Sequence, residues 1–160
     1  MGRFVIILPL ESLNVGDGFV TADWPLHVTV VPPFRTRCTA EQLREAMTAV
    51  ARAREPLRIT VGPDDWFGHR KDVLVSLVTD DGRIQKLHDN LLVTLRRCLV
   101  DHETLSHVGR GYRPHITATR HGRVTDGERY TLPQLALVDM ATPHGDPPRV
   151  TRATVDLGGR

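Results

Sequence analysis

A tetrapeptide of the form histidine, apolar, threonine, apolar occurs twice in this chain, and that repeat constrains the fold more than any other feature. The copies are His27-Val-Thr-Val30 and His115-Ile-Thr-Ala118, 88 positions apart, each following a proline, Pro25 or Pro114. In a strand, side chains at i and i+2 share a face. His27 and Thr29 therefore point one way while Val28 and Val30 point into a core, and His115 and Thr117 stand likewise against Ile116 and Ala118. About 0.15 such tetrapeptides are expected by chance, so two by accident is on the order of one in a hundred. Copies half a chain apart imply two lobes, each supplying one. If the lobes pack about a pseudo-twofold, two imidazoles and two hydroxyls converge on one cleft.

The intervening pattern supplies the elements. Phe4 to Leu8 is a continuous apolar run, as in a buried strand. A second strand covers Leu26 to Val31 and is expected to stop at Pro32-Pro33. Thr39-Ala-Glu-Gln42 reads as a capping box opening an amphipathic helix to about Arg54. Leu57 to Val61 is a strand broken by Gly62-Pro63-Asp64-Asp65, and Val73 to Val78 is another. Asp80-Asp81-Gly82 opens a second helix whose apolar face runs from Ile84 through Leu95 and Cys98 to about Val100. Strands follow at His115–Thr119, Tyr130–Val138 and Val150–Leu157, the last two separated by the turn-rich stretch from Thr142 to Pro148. Six or seven strands with two helices predict an α+β class, in one domain spanning 1–160.

Composition excludes several alternatives. With 40% hydrophobic and 25% charged residues, the chain is neither a disordered tail nor a fibre. No apolar run approaches the roughly 20 residues of a membrane helix, so no membrane partner is expected. The short apolar start lacks a cleavage site and reads as a strand rather than a signal peptide, so a cytoplasmic setting is expected. Cys38 and Cys98 form no C-x-x-C and are too few for a disulfide framework, which predicts free thiols. Of 21 basic residues only Lys71 and Lys86 are lysines, an arginine excess that suits phosphate contacts and also follows from a GC-rich genome.

The paired side chains suit a phosphodiester. One neutral imidazole can take a proton from an attacking hydroxyl or water while the other, protonated, gives one to the leaving oxygen. The threonine hydroxyls can donate to the non-bridging oxygens. The catalytic candidates are thus His27 and His115, and the phosphate-binding candidates Thr29 and Thr117. The chemistry asks for no metal and no cofactor.

His27-Val-Thr-Val30 and His115-Ile-Thr-Ala118 resemble the two signatures of the 2H phosphoesterase superfamily. Tyr112-Arg-Pro-His-Ile-Thr-Ala118 is especially similar to the second motif of its LigT-like branch, the RNA 2′,3′-cyclic phosphodiesterases also called 2′-5′ RNA ligases. The resemblance covers nearly the whole chain. It implies a bilobal fold of two mainly antiparallel sheets with helices outside and the four motif side chains in the groove. It also implies metal-independent chemistry on a 2′,3′-cyclic phosphate or a 2′-5′ linkage, opening at RNA ends to leave a 2′-phosphate. Val31-Pro-Pro-Phe34 departs from the glycine-containing continuation of LigT sequences, and Ala118 stands where a larger apolar residue is usual.

Lesser candidates surround the motifs. Phe34, Trp66, Phe67 and Tyr112 could stack on a base, Arg113 and Arg35 could contact phosphate at the mouth of the cleft, and His69 could edge it. Arg110, Arg120, Arg123 and Arg129 read as solvated loop residues, and His88 as a packed helix residue. His102, His107, His121 and His144 match no zinc spacing, so no metal is expected. G-x-S-x-G and Walker loops are absent. The sequence-based expectation is a monomeric phosphodiesterase acting on RNA ends or nucleotides, with either histidine as base. Its alternatives are a hydrolase of cyclic oligonucleotides or other cyclic nucleotide messengers, a non-catalytic RNA-end or nucleotide-binding module, and a structural or protein-interaction domain.

Overall fold

The computed structural model describes residues 1–20, 23–100, 109–140 and 149–158, with the side chain of Arg110 outside the description. His102, His107, His144 and the predicted turn at 142–148 also lie outside the described residues. The strands are β1 (Gly2–Pro9), β2 (Gly18–Phe19), β3 (His27–Thr36), β4 (Leu57–Phe67), β5 (Val73–Thr79), β6 (Leu99–Val100), β7 (His115–Thr117), β8 (Arg129–Leu132), β9 (Gln134–Asp139) and β10 (Arg149–Asp156). The helices are α1 (Ala40–Ala51) and α2 (Arg83–Thr94). The class is α+β, as the sequence predicts.

Every described strand pairing is antiparallel. The order β2-β10-β9-β1-β3-β7-β5-β4-β8, with β6 on β3, divides naturally into two halves. The first half ends at β3 and the second begins at β7, and their ladder is the single Cα pair Val28 with Ile116. The two repeated motifs are therefore neighbours at the centre of the sheet. Both helices cover one face, where Phe4, Ile6, Leu8, Val28, Ile116 and the buried sides of α1 and α2 form the main core. On the opposite face a smaller cluster of Val5, Ile7, Trp24, Ala136 and Val138 lies under the first half alone.

Local chemistry explains where elements begin. The predicted capping box forms: Thr39 Oγ1 accepts from Gln42 N at 3.1 Å and Gln42 Oε1 from Thr39 N at 2.8 Å. At α2 the Asp80 carboxylate accepts from Gly82 N and Ile84 N, with Gly82 at φ +89°, a left-handed turn that glycine permits without steric cost.

Four expectations are corrected. Pro32-Pro33 does not end β3, which runs on to Thr36. Between the pairs Ile7–Thr29 and Phe4–Phe34 the β3 side carries two extra residues, and the prolines sit in that bulged stretch, where their missing N–H groups cost little pairing. Gly62-Pro63 is bypassed the same way, by a bulge between Val61 and Asp64 that lets β4 continue to Phe67. Conversely, the predicted strand at 130–138 is split at Pro133 into β8 and β9, which belong to different halves of the sheet. The second helix ends at Thr94, and Leu99–Val100 pairs instead with Thr36 and Arg35.

That short pairing also overturns the free-thiol expectation. It brings the end of β3 beside the turn after α2, and Cys38 and Cys98 form a disulfide with Cα atoms 5.5 Å apart. The separation of 60 residues hides in sequence a proximity that β6 creates.

Candidate active site

Antiparallel pairing around Val28–Ile116 sets His27 across from Thr117 and Thr29 across from His115. Each histidine thus faces the threonine of the other motif. All four side chains project from the face away from the helices, because Val28 and Ile116 between them are buried in the main core. The histidines stand on the diagonal of this quartet, about 7–8 Å apart at the backbone. The rows extend outward: Ile7 lies beyond Thr29 and Leu77 beyond His115, while Pro9 lies beyond His27 and Val75 beyond Thr117.

The two imidazoles are held alike. His27 Nδ1 lies 2.8 Å from the Pro25 carbonyl, and His115 Nδ1 lies 2.7 Å from the Arg113 carbonyl. A carbonyl can only accept, so each Nδ1 carries a proton. Each ring also rests on an aromatic: Trp24 at 5.0 Å from His27, and Phe67 at 4.6 Å from His115. Burial lowers the pKa of His27, opposed by the Pro25 hydrogen bond and reinforced by the charge of His115. His27 is therefore a neutral imidazole at neutral pH.

Two adjoining cavities open on the quartet, and Thr29 lines both. The larger, about 650 Å³, is bounded by His115, Pro32, Phe67, His69, Tyr112 and Arg113. The smaller, about 350 Å³, is bounded by His27, Thr117, Trp24, Pro33, Thr119 and Met140. Both fall in the range of small-molecule ligand pockets. The roof of the larger comes from the β4–β5 hairpin, which reaches over the catalytic face to bring Phe67 against His115.

The remaining expected residues are placed unevenly. Tyr112 lines the large cavity, but one face of its ring is stacked on His88 at 4.0 Å and its hydroxyl donates to the Thr29 carbonyl at 2.7 Å. His88, fully buried, places Nδ1 2.6 Å from the Val30 carbonyl and accepts at Nε2 from Gly109 N. A helix side chain and the approach to the second motif therefore both grip the strand of the first. Arg113 lines the cavity, lies over Phe67 at 5.0 Å and pairs with Asp65. Phe34 is 2% exposed and packs on Phe4 in the main core, so it is no stacking platform. Trp66 is 54% exposed, but strand alternation turns it to the face opposite Phe67, outside both cavities. Arg35 lies across from Arg3, four residues along β1 from the Ile7 that faces Thr29, so it stands about 13 Å from Thr29 and lines neither cavity. Of the other arginines, Arg123 pairs with Asp64, and Arg120 pairs with Asp23, whose carbonyl is met by His121 Nε2. That last contact ties the turn after the second motif to the loop before the first.

Trp24 is the residue that motif reading misses, although an aromatic three residues ahead of His27 is visible in the sequence. Among the described residues no three His, Cys, Asp or Glu side chains gather as a metal site, and no helix is long and apolar enough to cross a membrane.

A pseudo-symmetric α+β domain with two His-x-Thr strands meeting in one groove is the architecture of a two-histidine phosphoesterase. The chain belongs to the 2′-5′ RNA ligase superfamily, whose family model matches residues 14–150. A comparison with curated proteins finds no match. Among solved structures, TT0787 of Thermus thermophilus is similar at 18% identity and TM-score 0.63, with 99% of each chain covered. Escherichia coli LigT complexed with 3′-AMP is similar at 16% identity and TM-score 0.60, with 98% of each chain covered. These likenesses carry the fold, and the family supports an enzyme of the phosphoesterase kind with phosphodiesterase-type activity.

Proposed function

We propose that the protein is a phosphodiesterase that opens 2′,3′-cyclic phosphates at RNA ends, using His27 and His115 as general base and acid and Thr29 and Thr117 to hold the phosphate. One observation carries this reading: two imidazoles, each oriented by a backbone carbonyl at Nδ1, stand on the diagonal of a quartet whose other members are two threonine hydroxyls. A binding module has no need of that arrangement.

In the proposed reaction the cyclic phosphate sits over the quartet, its non-bridging oxygens accepting from the Thr29 and Thr117 hydroxyls. His27, kept neutral by burial, takes the proton of an attacking water at Nε2 as the water oxygen bonds to phosphorus. The P–O3′ bond breaks, and protonated His115 gives its Nε2 proton to the departing O3′. The product is a 2′-phosphate, and proton exchange with solvent restores both rings. Residues 1–160 act as one domain and one monomer, without metal or cofactor. The large cavity takes the nucleoside, with Arg113 and Phe67 along its wall.

The test is turnover of nucleoside 2′,3′-cyclic monophosphates and of an RNA with a cyclic phosphate end, with EDTA present. Wild type is compared with His27→Ala and His115→Ala. Opening that either substitution reduces by at least about a hundredfold supports the reading. Turnover surviving both substitutions would sink it, and turnover only of cyclic oligonucleotides would reassign the substrate.

A further inference from the structure

The catalytic face does not stop at the groove. Leu77 lies across from His115, and two residues further along β5 Thr79 lies across from Thr60, which in turn lies across from Arg129 on β8. One step along, Arg58 lies across from Thr131. Directly opposed residues share a face, so this row carries the face of His115 outward to the last strand of the sheet. Arg58, Thr60, Thr79, Arg129 and Thr131 line a cavity of about 380 Å³ there. Arg129, expected in a loop, is thus the first residue of an edge strand.

The two guanidiniums differ from other arginines around the groove. Arg113, Arg120 and Arg123 are each paired with an aspartate. Among the described residues Arg58 and Arg129 have no carboxylate partner, and both are exposed. The one carboxylate lining their cavity, Asp80, is engaged with the Gly82 and Ile84 amides at the start of α2. Arg58 and Arg129 stand on a diagonal about 7–8 Å apart at the backbone, with threonine hydroxyls between them. Such a set fits phosphodiester oxygens, with the arginines donating in bidentate fashion and the hydroxyls filling in.

We propose that Arg58 and Arg129 form a second phosphate site that binds the backbone of a polynucleotide whose reacting end occupies the groove. Three strand spacings and one strand step put Arg129 about 16 Å from His115. That is beyond a mononucleotide anchored at the quartet and within reach of nucleotides further back along the same strand. The inference rests on the groove being a nucleotide-end phosphodiesterase, and it adds that the preferred substrate is a chain rather than a mononucleotide.

The experiment compares wild type with the double variant Arg58→Gln/Arg129→Gln on a cyclic mononucleotide and on an RNA ten-mer with a cyclic phosphate end, over a range of salt. The variant is expected to open the mononucleotide at the wild-type rate. On the ten-mer its kcat/KM should fall at least about tenfold at low salt. The slope of log kcat/KM against log salt should become shallower by about 1.4, at about 0.7 for each phosphate of a single strand that is no longer neutralised. Equal losses on both substrates, or no loss on the ten-mer, overturn the proposal. If the wild type opens neither substrate, the catalytic reading fails by itself. Fluorescence anisotropy with a labelled RNA ten-mer then decides the patch: weaker binding with a shallower salt slope in the variant sustains it, and unchanged binding overturns it.

Discussion

Tyr112→Phe isolates one atom that joins the two motifs. The ring, 7% exposed, would keep its stack on His88 and its place in the cavity wall, losing only the hydroxyl that donates to the Thr29 carbonyl. Burial raises the pKa of that hydroxyl, with a smaller contribution from Asp80, so it remains a donor throughout any practical assay range and pH cannot break the bond. Removing it leaves the Thr29 carbonyl without that donor, at a cost of about 1–3 kcal/mol. At about 2–4 °C per kcal/mol for a chain of this size, the melting temperature should fall by about 2–12 °C. Thr29 carries a proposed phosphate contact, and a misplacement of about 1 Å costs on the order of a hundredfold in rate. A fractional shift therefore puts the loss in kcat at about tenfold, with KM changed less. Thermal unfolding by circular dichroism and steady-state kinetics on a cyclic nucleotide provide the two readouts. An unchanged melting temperature and unchanged kcat would show that the hydroxyl does not hold the motifs together, and a lower melting temperature with kcat intact would confine it to stability.

Three other perturbations test different links. Trp24→Ala hydrates His27, whose lowered pKa comes mainly from burial; the acid limb of the kcat/KM profile, expected below pH 6.5 in wild type, should move up toward it, and a limb that stays put would refute burial by Trp24 as the cause. The sign follows because a base must be neutral: raising its pKa removes activity at the acidic end. Cys98→Ser opens a loop of about 60 residues, worth about 4 kcal/mol by the chain-entropy account, so unfolding in urea should show a loss of that order and reductant should reproduce it on the wild type; two thiols titrating in the native, unreduced protein would contradict the bond. Phe34→Ala should cost about 3–5 kcal/mol in stability while the folded enzyme keeps its KM, because Phe34 fills the core behind the sheet; a raised KM with stability intact would return it to the substrate.

Much of the site was legible because the motif side chains obey strand alternation, which needs no tertiary knowledge. The capping box at Thr39 and Gln42 was legible for the same reason, since its partners lie three residues apart. What was hidden depends on bulges and long-range pairing. Pro32-Pro33 and Gly62-Pro63 read as breakers, and only the opposite strand reveals that extra residues, two at the first and one at the second, absorb them. The insertions opposite β1 come in a pair and leave Phe34 on the same face as Val28 and Val30, so alternation carried through the prolines would have placed it in the core. Cys38 met Cys98 through β6, two residues long and without a pattern of its own. Arg58 and Arg129 share a cavity only because β8 pairs with β4.

The crossed quartet has a consequence for how activity is lost. Since His27 faces Thr117 and His115 faces Thr29, each facing histidine–threonine pair takes one residue from each half of the sheet. Parting the halves at Val28–Ile116 disassembles both rows in one event. Turnover is then a gauge of whether the halves are docked: a fragment bearing one motif should have no partial activity, and because the main core spans both halves, opening the seam should cost activity and core packing together.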